Sequence, residues 1–474
     1  MISYKMTVGG QWCGGSSSYE LKSPYDNEVI GLVPSATPID VDKAISSAAE
    51  NAHVIANMTA YERAGILERV STILERRTEE FAQTMAKENA KPIKAARSEI
   101  TRAIQTYKFA AEEAKRLSGE TIPLDAAKGV QNRFAYTKRE PLGVIAAITP
   151  FNFPVNLVAH KLGPAIAGGN SVVLKPASQT PLTALLTAEA FEEAGLPPGV
   201  LNVVTGKGSV IGDVLVTDPR VKMVTFTGSL EVGLEIKKKA GLKRVTLELG
   251  SNAPVIVDSV TDLDKVAARC VEGAFSYAGQ ICISIQRIYV QKALYDSFLD
   301  KFEKYTKNLV IGNPLSENTD VSAMIHENDA IRISKWVNEA ERNGATVVVG
   351  GNRDSSVFEP TILTNVSTDV SICCNEAFAP IVIINKYVDW EEAIAQVNNS
   401  QYGLQAGVFT TDLKKAFAAA DSIQSGSVLI NDVPTFRVDH MPYGGVKNSG
   451  IGKEGVRYSL EEMTELKLIA INIQ

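Results

Sequence analysis

The chain has 474 residues, 45% hydrophobic and 22% charged, an ordinary globular composition long enough for two or three packed units. Its 48 Lys and Arg against 54 Asp and Glu leave a net charge of -6 without a basic run, so nucleic acid is a poor partner. Apolar stretches such as Val144–Ile148 and Leu468–Ile471 are far too short to cross a bilayer, so no membrane association is expected.

Met1–Ser18 lacks the basic segment and apolar core of a secretory signal. Residues up to about 36 are rich in Gly, Ser and Pro and read as short strands and turns. Helical spacing follows over Asp40–Asn51, Tyr61–Asn89 and Ser98–Leu117, with Gly119 as a stop for the last. Phe134–Lys138 alternates like a strand. Strands then alternate with helices: Val144–Thr149, helix Val155–Gly168, Ser171–Leu174, helix Pro181–Ala194, Leu201–Val204, helix Ser209–Leu215, Met223–Phe226, helix Leu230–Ala240, Arg244–Glu248. This rhythm predicts an α/β fold with a parallel, doubly wound sheet. A second alternating set from Pro254 to about Asn431 predicts a second α/β unit. The strand-like tail Leu466–Ile473 invites pairing with another subunit, so a homo-oligomer, dimer or tetramer, is expected. Five cysteines, sparse and odd in number, fit free thiols in a reducing, cytoplasmic setting.

Cys282 lies in Gly279-Gln-Ile-Cys-Ile-Ser. Gly279 and Gln280 break a helical pattern, which predicts that Cys282 starts a new element with unpaired backbone N–H groups. Such groups favour both a thiolate and an oxyanion. The plain alternative is a small buried apolar residue. Glu248 ends the strand Arg244–Glu248. It is either a solvated strand end or a carboxylate dry enough to act as a general base. Asn152, after the strand Val144–Thr149, is either a turn residue or a neutral donor to an oxyanion. Lys175 at the end of a buried strand is a snorkelling lysine or a ligand contact. Gly228-Ser-Leu-Glu-Val-Gly233 departs from the dinucleotide fingerprint but opens a helix whose free N–H groups suit a pyrophosphate. Cys373 and Cys374 are adjacent without a histidine cluster, so no metal is expected and both read as structural.

In their order and spacing, Pro150-Phe-Asn-Phe-Pro154, Leu174-Lys-Pro176, Phe226-Thr-Gly-Ser229, Leu247-Glu-Leu-Gly250, Gly279-Gln-Ile-Cys282, Glu376-Ala-Phe-Ala-Pro380 and Pro442-Tyr-Gly-Gly445 resemble the aldehyde dehydrogenase superfamily over nearly the full chain. The resemblance is nearest to the subgroup of lactaldehyde, phosphonoacetaldehyde, sulfolactaldehyde and non-phosphorylating glyceraldehyde-3-phosphate dehydrogenases. It implies a Rossmann-type cofactor domain over 1–117 and 138–249 and an α/β catalytic domain over 250–448. A small bridging hairpin over 118–137 and 460–474 would carry oligomerisation. It implies Cys282 as nucleophile, Glu248 as hydrolytic base and Asn152 as oxyanion donor, with a carboxylic acid as product. It places NAD or NADP against Thr149, Pro150, Lys175, Ser178, Gly208, Phe226, Gly228, Ser229, Glu376 and Phe378. Many NAD-preferring relatives carry an acid where this chain has Ser178, so NADP should be accepted.

The family's aldehyde-pocket positions fall on Arg102, Phe153, His160, Ile281, Ile283, Arg437 and His440. Two arginines facing one tunnel call for an anionic aldehyde, unless Arg102 pairs with Glu99 and Arg437 with Asp439. An uncharged short or hydroxy-aldehyde is the alternative substrate. A non-catalytic cofactor-binding or redox-sensing protein is the alternative of another class.

Overall fold

The computed structural model describes residues 2–473. Its largest sheet has eight strands, in the order Gln11–Cys13, Met6–Val8, Leu201–Val203, Ser171–Lys175, Val144–Ile148, Val221–Thr227, Arg244–Glu248 and Gly450–Ile451. The five central strands are parallel; Met6–Val8 adds antiparallel on one side with Gln11–Cys13 antiparallel at the edge, and Gly450–Ile451 closes the other edge antiparallel. Val144–Ile148 and Ser171–Lys175 are buried throughout, so both sheet faces must be covered. Helices Ala60–Arg76, Ile93–Ala114, Asn156–Ala167 and Leu182–Glu193 cover one face. Helices Pro38–Asn57, Gly208–Thr217 and Leu230–Lys239 cover the other.

The second sheet has seven strands: Thr346–Val349, Thr361–Thr364, Ile381–Tyr387, Arg287–Gln291, Pro254–Val257, Gln405–Phe409 and Ser427–Ile430. All are parallel except Thr346–Val349. The α/β class and its two sheets are those the alternating pattern predicts.

Two local expectations need correction. The Tyr61–Asn89 stretch is two helices, Ala60–Arg76 and Thr78–Asn89. Arg77 leaves helical geometry (φ -97, ψ 15), and the Thr78 hydroxyl turns back onto the carbonyls of Leu74 and Glu75. The next helix runs Ile93–Ala114, so Gly119 does not stop it. A Cβ at Gly119 would lie 1.7 Å from the Thr137 carbonyl oxygen, so glycine serves close strand approach there. The tail strand Thr464–Asn472 pairs antiparallel with Arg133–Pro141 of its own chain, leaving its other edge open. Among the described residues, no helix is long and apolar enough to cross a membrane.

Candidate active site

The central strands of the first sheet end side by side, and the order reverses between Val144–Ile148 and Val221–Thr227. Such a switch point leaves a crevice at the carboxyl ends of the strands. Here a cavity of about 1050 Å³ opens, and loops that lead into two adjacent strands of the second sheet close its far side. Thr149, Pro150, Asn152, Lys175, Ser178, Gly208, Phe226, Gly228, Ser229, Glu248, Cys282, Glu376 and Phe378 all line it.

Close backbone approaches shape the long arm of this cavity. A Cβ at Gly228 would lie 2.5 Å from the Phe226 ring, and the Gly228 N–H donates to the Glu248 carbonyl at 3.0 Å. Ser229 caps helix Leu230–Lys239, leaving that helix's first N–H groups beside the cavity. Lys175 is 5% exposed, and its ammonium donates only to the Pro176 carbonyl, at 3.0 Å. Burial pulls its pKa down to about 8. Glu376 accepts from the Ser251 N–H at 2.9 Å, and a Cβ on Gly250 would lie 2.4 Å from its carboxylate. Burial raises this carboxyl to about 7, with the Ser251 bond opposing. Phe378, at φ +50, sets its ring edge-on to Phe151 at 5.8 Å, joining loops from the two sheets.

Cys282 does not start a new element, contrary to expectation. It lies in a turn after Tyr277, Ala278 and Gly279, all left-handed at φ 48, 51 and 67. A Cβ at Gly279 would lie 2.0 Å from the Ala379 carbonyl oxygen, so this bend docks against the Glu376–Pro380 loop. The predicted free N–H survives for another reason: the turn closes from Ser284 N–H to Ile281 O, and no backbone bond among the described residues uses the Cys282 N–H. The thiol meets the Tyr443 hydroxyl at 2.9 Å. Burial pushes the Cys282 pKa up to about 12, while Tyr443 and Arg437 oppose that rise.

Glu248 is 2% exposed, and neither carboxylate oxygen has a hydrogen-bond partner. Burial, then the charge of Glu454, raise its pKa well above the ordinary carboxylate range. It is the dry carboxylate of the functional reading, not a solvated strand end. Asn152 spends one amide N–H on the Gln280 carbonyl at 2.9 Å, which ties its loop to the strand of chain carrying Cys282. Behind it, the buried Lys91 ammonium holds the Asn152 carbonyl at 2.6 Å and pairs with Glu99, whose other oxygen accepts from the Val155 and Asn156 N–H groups.

The seven aldehyde-pocket candidates do not line this cavity. Three belong to one polar chain. Arg102 pairs with Asp439 at 2.7 Å, and Asp439 contacts His160 at 2.9 Å. His160 meets Arg437 at 3.3 Å, and Arg437 pairs with Glu454 at 3.3 Å. Glu454 in turn holds Lys161 at 3.0 Å. Both arginines are therefore paired, but with Asp439 and Glu454, not with Glu99 and Asp439 respectively as the sequence allowed. Ile283 packs with Leu404 and Tyr443, flanked by Ile281 and Cys282. Phe153 lies under Lys91 at 3.9 Å and Arg102 at 5.8 Å. His440 is exposed against Phe109 at 4.7 Å, apart from the polar chain. Sequence reasoning missed Lys91, Lys161, Glu454 and the hydroxyl of Tyr443. A lysine inside the mostly apolar, fully buried helix Asn156–Ala167 is the signal that marks Lys161.

Among the described residues, no group of three His, Cys, Asp or Glu is placed to hold a metal ion, and all five cysteines are free. The aldehyde dehydrogenase family profile matches residues 12–469. The chain is 48% identical over 471 residues to a 3-sulfolactaldehyde dehydrogenase of Priestia aryabhattai, covering 99% of this chain and 98% of that one. It superposes with TM-score 0.97 on aldehyde dehydrogenase 21 of Physcomitrella patens in complex with the reaction product succinate, at 43% identity over 99% of this chain and 98% of that one. It also superposes with TM-score 0.93 on a glyceraldehyde-3-phosphate dehydrogenase of Methanocaldococcus jannaschii complexed with NADP, at 41% identity over 96% of this chain and 100% of that one. This chain belongs to the aldehyde dehydrogenase family. It is an oxidoreductase acting on the aldehyde group.

Proposed function

We propose that this enzyme oxidises a short anionic aldehyde to its carboxylic acid through a thioester on Cys282, with NAD or NADP as acceptor. The observation that carries the chemistry is the convergence of Cys282, Glu248 and Asn152 on one cavity whose long arm is built from glycine turns and a helix start. Cys282, as thiolate, adds to the aldehyde carbon. The resulting oxyanion is stabilised by the unused Cys282 N–H and the Asn152 amide. A nicotinamide bound in this cavity would supply the hydride acceptor by which the adduct becomes a thioester. Glu248 then takes a proton from water, the water oxygen adds to the thioester carbonyl, and the sulfur departs as thiolate.

The cavity residues fit a dinucleotide. Lys175 lacks a carboxylate partner and stands ready for the adenosine ribose, Ser229 for the pyrophosphate, and Glu376 for the nicotinamide ribose with Phe378 beside it. Thr149, Pro150, Gly208, Phe226 and Gly228 would line its path. Ser178 brings no negative charge near a 2′-phosphate, so NADP is accepted. Initial rates with each cofactor test this; turnover with NAD and none with saturating NADP would refute it.

The charge balance supports an anionic substrate. Arg102, Lys161 and Arg437 form ion pairs with Asp439 and Glu454, three cations against two carboxylates, with Lys453 and Glu248 a further cation and carboxyl nearby. Burial disfavours charge on both His160 and Glu248. The Arg437 Nε is buried without a partner. The compounds named for the three relatives above, 3-sulfolactaldehyde, glyceraldehyde 3-phosphate and succinate, carry an anionic group beside the reacting one, whereas lactaldehyde, named for a relative 41% identical, carries none. The pairing of both arginines favours the second reading, an uncharged hydroxy-aldehyde. A panel of sulfonate, phosphate, phosphonate and carboxylate aldehydes against uncharged ones of equal length separates the two. Better turnover of uncharged compounds, unaffected by Arg102→Leu or Arg437→Leu, would sink the anion proposal.

A further inference from the structure

Among the described residues, the titratable groups that bear most on Cys282 are Tyr443, Arg437, Glu376 and Glu248. Both glutamates oppose a thiolate, and no imidazole or helix start is aimed at the sulfur. Only Tyr443 and Arg437 favour it, and they come from one loop. Tyr443 is 2% exposed, and its hydroxyl makes a single hydrogen bond, 2.9 Å to Cys282 Sγ. A phenol costs more than a phenylalanine to bury unless its O–H finds a partner, and the sulfur is that partner. The Arg437 guanidinium carbon lies 3.7 Å from the centroid of the Tyr443 ring. A cation on the ring face draws electron density from the phenol and strengthens its O–H as a donor.

We propose that Tyr443 is a further catalytic residue, donating its phenolic hydrogen to the Cys282 thiolate, with Arg437 on its ring sharpening the donor. The phenol keeps its proton throughout. It stabilises the thiolate before attack on the aldehyde and again when the sulfur leaves the hydrolysed thioester. This inference rests on the assignment of Cys282 as nucleophile. It also explains how a thiol that burial makes hard to ionise can work near neutral pH. Arg437, read above as an anion contact, thereby acts on the nucleophile through the Tyr443 ring.

The test is the pH dependence of Cys282 alkylation by iodoacetamide, followed by mass spectrometry of the Cys282 peptide, in the parent and in Tyr443→Phe. Losing a hydrogen bond to a charged group should slow alkylation about 10- to 100-fold at neutral pH and move its rise to higher pH. Affinity for the cofactor, read by nicotinamide fluorescence, should not change, because Tyr443 does not line the cofactor arm. An unchanged alkylation profile in Tyr443→Phe overturns the proposal. Cys282→Ala keeps the two assignments apart. If it still turns over aldehyde, the nucleophile assignment fails. If it is inactive while Tyr443→Phe alkylates like the parent, only the role of Tyr443 fails.

Discussion

Glu248 is a carboxylate whose environment contradicts its composition. A free glutamate is ionised at neutral pH and is a feeble base. Burial without a hydrogen-bond partner, reinforced by the nearby charge of Glu454, raises its proton affinity. A base acts in its deprotonated form. Thioester hydrolysis should therefore rise with pH well above the ordinary carboxylate range and fall as Glu248 gains its proton. Glu248→Gln should lower single-turnover hydrolysis about 100-fold or more and abolish that rise. Hydrolysis by Glu248→Gln at the parent rate would remove Glu248 from the mechanism. Asn152 acts on the other step. Asn152→Ala should cost about 100- to 1000-fold in kcat with a smaller change in KM, because the oxyanion forms only on the way to the adduct.

The elements that carry these residues are tied by buried ions. Lys91 and Glu99 clamp helix Ile93–Ala114 to the loop bearing Asn152, and Lys91 also lies 4.6 Å from the Tyr277 ring in the bend before Cys282. Removing one partner strands the other charge in the interior. Lys91→Met should cost about 3–5 kcal/mol in urea unfolding. A cost within measurement error would show that the clamp is not structural. A second buried carboxylate, Glu88, caps helix Leu182–Glu193 through the Leu182 and Thr183 N–H groups. Burial raises its pKa from 4.5 to about 7, with those bonds opposing. The folded state then holds this proton more tightly than the unfolded one. Its contribution to stability is complete below about 4.5 and is lost as pH rises through about 7. Glu88→Gln, neutral at every pH, should lose less Tm between mildly acidic and neutral buffer than the parent. Equal losses would count against Glu88 as their source.

At the scale of the molecule, the tail strand Thr464–Asn472, paired on one side with Arg133–Pro141, leaves an open edge among the described residues. Leu466, Leu468, Ile471 and Ile473 on the tail, with Phe134 and Tyr136 on the paired strand, are 37–58% exposed. Apolar exposure on both faces of a strand with an open edge marks an association surface. The chain should be a homo-oligomer in solution, and Leu468→Glu with Ile471→Glu should lower its mass by light scattering. A monomeric parent would refute the expectation.

Alternation of apolar strands with amphipathic helices made the α/β class and both sheets readable from the chain, because strand burial is a local, periodic demand on side chains. Motif order likewise revealed the family, and with it the residues around the cavity. The break at Arg77 was not readable, since a helical stripe continues across it and only the hydrogen bonds of Thr78 show the stop. Nor was the setting of Cys282: three successive left-handed residues end at Gly279, which packs closely against Ala379, about 100 positions away. The partners of Arg102 and Arg437 were decided in the same way. Asp439 and Glu454 reach them only because distant segments converge, and pairing of charges depends on distance in space, on which sequence separation is silent.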